Sequence, residues 1–120
     1  MKVIFVDDDH EILDSIQAFI ELALDDIEAK FEFFSDGKTA IKWYQENKDV
    51  DLVVSDINMP EMNGIEMAKE LRNLQMSCPI VFFSGHGDKA ETHGIENSSL
   101  VNKPSVEQLM NEIRSNLKLS

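Results

Sequence analysis

Leu52-Val53-Val54-Ser55-Asp56-Ile57-Asn58-Met59-Pro60-Glu61-Met62-Asn63-Gly64 runs from a short apolar segment into an acid and then into a loop closed by glycine. Segment 52–54 lacks the apolar-polar alternation of a half-exposed strand, so it fits a central strand covered on both faces. The glycine permits unusual backbone angles just before a helical pattern of Ile65, Ala68 and Leu71.

Strand and helix patterns alternate on either side of this stretch. Further β-rich runs lie at 3–6, 31–34, 80–83 and 100–101. Helical spacing links Ile12, Ile16, Phe19, Ile20 and Ala23, then Ala40, Ile41 and Tyr44, and finally Val106, Leu109, Met110, Ile113 and Leu117. Short strands separated by helices pair in parallel through right-handed crossovers. The expected fold is a doubly wound α/β domain, a five-stranded parallel sheet with helices on both faces. The weakest segment is 88–97, where Ala90 and Ile95 are the plainly apolar residues and Gly94 interrupts. It predicts a short, poorly anchored helix.

The chain has 120 residues, 42% of them hydrophobic, with 23 Asp and Glu against 11 Lys and Arg, a formal charge of −12. That length and apolar content predict one domain spanning residues 1–120. No apolar run approaches the roughly 20 residues of a bilayer-spanning helix, and three acids follow the first strand too early for a secretory signal. The expectation is a cytoplasmic protein without membrane contact. The single Cys78 lies beside Pro79 at the head of an apolar run and reads as a small core residue rather than a nucleophile. A charge of −12 repels a phosphate backbone, so nucleic acid is a poor partner and another protein or a metal ion a better one.

Ligand sites in open parallel sheets form beyond the carboxyl ends of the strands. Asp7-Asp8-Asp9 follow the first run, Asp56 the third, Ser84-Gly85 the fourth and Lys103-Pro104 the fifth. Asp7, Asp8 and Asp56 would converge at one sheet edge. Two unit charges about 4 Å apart interact by ~4 kcal/mol at an effective dielectric near 20, so three carboxylates there require a positive partner. Oxygen donors without Cys or paired His suit Mg²⁺, with Mn²⁺ as the next choice, over Zn²⁺. A plainer role for Asp8 or Asp9 is to cap the helix beginning near His10. His10 and His93 show no paired spacing and read as surface residues. Trp43 and Tyr44 are expected to pack on the second helix, and Met59 and Met62 to shape the loop after Asp56.

Taken together, Val6-Asp7-Asp8, the stretch from Asp56 to Gly64, Ser84-Gly85 and Lys103-Pro104 resemble the receiver domain of two-component response regulators over essentially the whole chain. The resemblance implies a flavodoxin-like strand order of 2-1-3-4-5. It implies that Asp56 accepts a phosphoryl group from a phosphohistidine on a sensor histidine kinase or phosphotransfer protein. Asp8, Asp56 and the backbone carbonyl of Asn58 would bind Mg²⁺, with Asp7 acting through water. Lys103 and Ser84 would contact the phosphoryl oxygens, and Asn58 and His86 would tune its lifetime. Leu100 stands where the family usually has an aromatic switch residue, so packing is its implied contribution. Such a protein catalyses only its own phosphorylation and dephosphorylation, and signals through a downstream protein target or relays the phosphoryl group onward, as a monomer or a phosphorylation-dependent dimer. The last helical pattern ends close to Ser120, which leads to the expectation of a stand-alone, chemotaxis-regulator-like receiver, with a receiver excised from a longer protein as the alternative. Two other readings compete: a small phosphohydrolase of the haloacid-dehalogenase type, and a phosphate-independent protein-binding module.

Overall fold

A computed structural model describes residues 1–85, 92 and 94–117. Five strands, β1 (Lys2–Val6), β2 (Lys30–Phe34), β3 (Leu52–Ser55), β4 (Ile80–Ser84) and β5 (Ser98–Asn102), form one sheet in the order β2-β1-β3-β4-β5. Every pairing is parallel. Among the described residues the helices are α1 (His10–Ala23), α2 (Gly37–Glu46), α3 (Gly64–Asn73) and α4 (Val106–Asn116). The doubly wound architecture and the strand order are those expected. The predicted weak helix over 88–97 falls largely outside the described residues, as do His86 and His93.

Alternate residues of each central strand feed opposite sides of the sheet. Ile4, Val6, Val53, Ile80 and Phe82 pack with Ala40, Ile41 and Tyr44 of α2 and Met67, Ala68 and Leu71 of α3. Val3, Phe5, Val54, Val81 and Phe83 pack with Leu13, Ile16 and Ile20 of α1 and Leu109, Met110 and Ile113 of α4. β3 and β4 are buried at every position, as the uninterrupted apolar runs imply. Each fully buried large side chain contributes about 1.5–3 kcal/mol, so these two layers hold the sheet rigid beneath its carboxyl edge.

Some details differ from the sequence pattern. Phe19 is 44% exposed, and Ala23 also faces outward, whereas Leu24 just beyond α1 is buried. The buried stripe of α1 therefore runs through Leu13, Ile16, Ile20 and Leu24. β5 begins two residues before the predicted run because it is an edge strand on which serines are tolerated. Ser98 donates to the Ile95 carbonyl at 2.7 Å and Ser99 to Glu112 at 3.2 Å. Tyr44 is buried, and Trp43 packs on Phe34 with ring centroids 5.6 Å apart. Cys78 packs against the α2 and α3 layer, and burial pushes its thiol up to about 11, so it stays protonated and unreactive at neutral pH. No helix among the described residues is long and apolar enough to cross a membrane.

Candidate functional site

Each polar residue of interest takes its position from the end of a strand. Asp7 follows β1, and its backbone N–H donates to the Phe34 carbonyl of the neighbouring strand at 3.0 Å. Asp56 follows β3 and donates its N–H to the Val6 carbonyl at 2.9 Å. Lys103 follows β5 and donates its N–H to the Ser84 carbonyl at 3.1 Å. Sheet hydrogen bonding thus continues one step past the strands and sets these side chains on one edge.

The three acids meet there. One carboxylate oxygen from each of Asp7, Asp8 and Asp56 lies within 4.8 Å of the others. Asp7 and Asp56 are buried and Asp8 is exposed, so the cluster has a closed floor and an open side. Asp9 performs the capping role, accepting the Glu11 N–H at 3.0 Å, and leaves Asp8 to the cluster. The donor set is all oxygen, which fits a hard divalent cation such as those receiver domains bind.

Lys103 supplies the positive charge within the chain. Its Nζ lies 2.8 Å from Asp7 Oδ2 and 3.3 Å from Asp56 Oδ2. It pairs with both carboxylates, and Asp7 is the nearer partner. The ammonium also lies 5.9 Å from the centre of the Phe83 ring, an aromatic face that favours a cation. Burial raises the Asp7 carboxyl above its ordinary value, and the neighbouring Asp56 charge adds to it. The hydrogen bonds from Lys103 and from Asp9 N–H oppose that rise without cancelling it. For Lys103 burial is the largest single influence and acts downward, but Asp7 and Asp56 together outweigh it and hold the ammonium above its usual range. The two carboxylates keep this lysine charged.

Asp56 is held at three points. Its Oδ1 accepts the Ile57 N–H at 2.8 Å, its Oδ2 faces Lys103, and its backbone carbonyl accepts the Ser55 hydroxyl at 2.7 Å. Gly64 N–H returns to the Ile57 carbonyl at 2.8 Å, closing the loop into α3. A Cβ on Gly64 would stand 2.0 Å from the Asp56 carbonyl oxygen, so glycine is required here by close approach of two backbones. Asn63 and Glu66 form reciprocal cap bonds that start α3 at that point. Met59 is buried and Met62 half-buried beside the same layer, as expected for residues shaping the loop.

Ser84 ends β4 and is fully buried, and its Oγ has no hydrogen-bond partner among the described residues. A buried hydroxyl without a partner is costly unless something occupies its position in the working state. Asn58 is exposed in the loop after Asp56, and Leu100 is half-buried against the α3 side of the sheet. His86 lies outside the described residues.

Sequence reasoning missed Ser55, the Ile57 N–H and Phe83. Ser55 had one visible signal, as the polar residue interrupting an apolar run directly before Asp56. A cavity of about 600 Å³ between Arg72, Ser77 and Asn97 lies at the opposite end of the strands. There the Arg72 guanidinium donates to the carbonyls of Met76, Cys78 and Glu96 and acts as a clamp between loops.

Comparison with known proteins agrees with this geometry. Residues 3–114 match the family model for the response regulator receiver domain. The two-component response regulator ARR10 of Arabidopsis thaliana is 31% identical over 116 residues, covering 92% of this chain and 20% of ARR10. The response regulator protein TodT of Pseudomonas putida is 31% identical over a 126-position alignment, covering 99% of this chain and 52% of TodT. The chain therefore spans a fifth to a half of these relatives. The response regulatory domain of mrkE from Klebsiella pneumoniae superposes with a TM-score of 0.83 at 25% identity, covering 98% of this chain and 96% of that one. The chemotaxis protein CheY4 of Vibrio cholerae gives 0.78 at 27% identity, covering 95% and 96%. The acid cluster, the lysine bridging it and the match over residues 3–114 lead to one assignment: this chain belongs to the response regulator receiver domain family of two-component systems.

Proposed function

We propose that Asp56 is the phospho-acceptor, taking a phosphoryl group from a phosphohistidine of a partner histidine kinase or phosphotransfer protein. The observation that carries this reading is one lysine ammonium held between two members of a three-carboxylate cluster at the sheet's carboxyl edge. In the transfer an Asp56 carboxylate oxygen forms the new O–P bond as the P–N bond breaks, and the leaving imidazole regains its proton. Phosphoryl transfer depends chiefly on position and charge neutralisation, because nucleophile and donor are both negative.

Lys103 turns from the Asp56 carboxylate to a phosphoryl oxygen, and Ser84, whose hydroxyl has no partner among the described residues, donates to another. Asp8, Asp56 and the Asn58 carbonyl would hold Mg²⁺, or Mn²⁺ in its place, and Asp7 would act through water. The cation supplies neutralisation of the carboxylates and of the phosphoryl oxygens. Asn58 and His86 govern access of the hydrolytic water. Leu100 supplies packing beneath the switch, in place of an aromatic ring.

Residues 1–120 act as one receiver unit of the stand-alone, chemotaxis-regulator-like type, working in the cytoplasm. The likeness to CheY4 supports the chemotaxis-regulator-like reading, while ARR10 and TodT extend well beyond the length of this chain. The protein has no turnover beyond its own phosphorylation and dephosphorylation, and its output goes to another protein, since a charge of −12 disfavours nucleic acid.

Incubation with Mg²⁺ and acetyl phosphate, followed by intact-mass and peptide mass spectrometry, tests the central claim. One phosphoryl group on Asp56, lost with chelator and absent in Asp56→Asn, is the expected result. Labelling at another residue, or labelling indifferent to Mg²⁺, would overturn it.

A further inference from the structure

We propose that Ser55 is a positioning residue for the phospho-acceptor, fixing the Asp56 carboxylate through the peptide plane that follows it. The proposal rests on Asp56 being the acceptor. Ser55 is the last residue of β3, is wholly buried, and donates its hydroxyl to the Asp56 carbonyl at 2.7 Å. That carbonyl and the Ile57 N–H are two ends of one rigid peptide unit. The Ile57 N–H donates to Asp56 Oδ1 at 2.8 Å. The serine hydroxyl therefore sets the rotation of the plane whose other end pins one carboxylate oxygen, and the second oxygen is left facing Lys103 at 3.3 Å.

The local chain offers no easy substitute for this bond. The Asp56 carbonyl lies so close to Gly64 that a Cβ there would stand 2.0 Å away, so α3 blocks one side of the oxygen. The Gly64 N–H is committed to the Ile57 carbonyl, and Asp56's own N–H to Val6. Without the serine hydroxyl the peptide unit loses its anchor at the oxygen end, and the hold on Oδ1 loosens with it. A nucleophile displaced by a fraction of an ångström reacts more slowly even where the fold is intact.

The test uses Ser55→Ala and Ser55→Cys in the full chain; the second keeps the buried volume and replaces a strong donor with a weak one. Two quantities are read on each variant that unfolds cooperatively: the phosphorylation rate constant with acetyl phosphate at saturating Mg²⁺, and the ¹H shift of the Ile57 amide. The expected result is a rate constant lower by about tenfold together with an upfield Ile57 amide shift, the mark of a weakened hydrogen bond. An unchanged rate constant would overturn the proposal. So would a slower reaction with the Ile57 amide unmoved, since the loss would then be merely structural. If the wild-type chain takes no phosphate on Asp56 the acceptor reading fails, and the Ile57 shift alone then decides whether Ser55 orients that carboxylate.

Discussion

A methyl group on Gly64 would meet the Asp56 carbonyl oxygen at 2.0 Å, and the obstructing atom is backbone, which cannot swing aside. Gly64→Ala is therefore expected to cost about 2–4 kcal/mol in urea unfolding, despite alanine's better helix propensity, and to slow phosphorylation by moving the peptide after Asp56. Asp7 gives a second expectation at this scale. Its folded pKa is raised, so between the ordinary carboxylate value of 3.8 and the folded value the native state holds more protons than the unfolded one. Stability without metal then falls as pH rises through that window. At neutral pH the ionised Asp7 is a net cost, which Asp7→Asn removes. Metal-free Asp7→Asn should unfold at higher urea than wild type at pH 7, and the advantage should fade as pH drops below the window. Chemical denaturation across pH in chelator checks both the sign and the window.

Elements explain which parts of this were legible in the sequence. The buried strands β3 and β4 announce themselves as unbroken apolar runs, and Asp7, Asp56 and Lys103 were readable because each directly follows a strand, Ser84 because it ends one. The edge strand β5 was read too short, because an edge needs apolar residues on fewer positions and accepts Ser98 and Ser99. In α1 the pattern through Phe19 and Ala23 competed with the one through Ile20 and Leu24, and only packing on the sheet chose between them. The hold of Ser55 and Ile57 on Asp56 stayed hidden because it depends on the rotation of one peptide plane. The acidic run after β1 was ambiguous between capping and metal binding; in the structure Asp9 caps α1, and Asp8 lies with Asp7 and Asp56 in the carboxylate cluster. Asp9→Ala should thus cost about 1 kcal/mol of stability and leave Mg²⁺ affinity within a few-fold. Asp8→Ala should weaken Mg²⁺ binding at least tenfold with little loss of metal-free stability. Calorimetric Mg²⁺ titration paired with urea unfolding separates the two residues.

At the scale of the whole molecule the charge of −12 has a general part and a local part. Most acids among the described residues are exposed, on loops as well as on helices, where their mutual repulsion is screened within a Debye length of about 8 Å at physiological salt. The cluster of Asp7, Asp8 and Asp56 is partly buried, and Lys103 offsets only a portion of its charge. Monovalent salt and Mg²⁺ should therefore stabilise the protein differently. Sodium chloride is expected to raise the melting temperature gradually and without saturation. Mg²⁺ should add a saturable increment on top, about 2.7 kcal/mol at a hundred times its dissociation constant, because it binds the folded state alone. That increment should fall to half or less in Asp8→Ala and in Asp56→Ala, while the sodium chloride response of both variants stays close to wild type. Thermal melts over a grid of the two salts measure it. A Mg²⁺ effect no larger than that of sodium chloride at equal ionic strength would mean that the cluster is ordinary surface charge, and the case for a metal-dependent acceptor at Asp56 would fall with it.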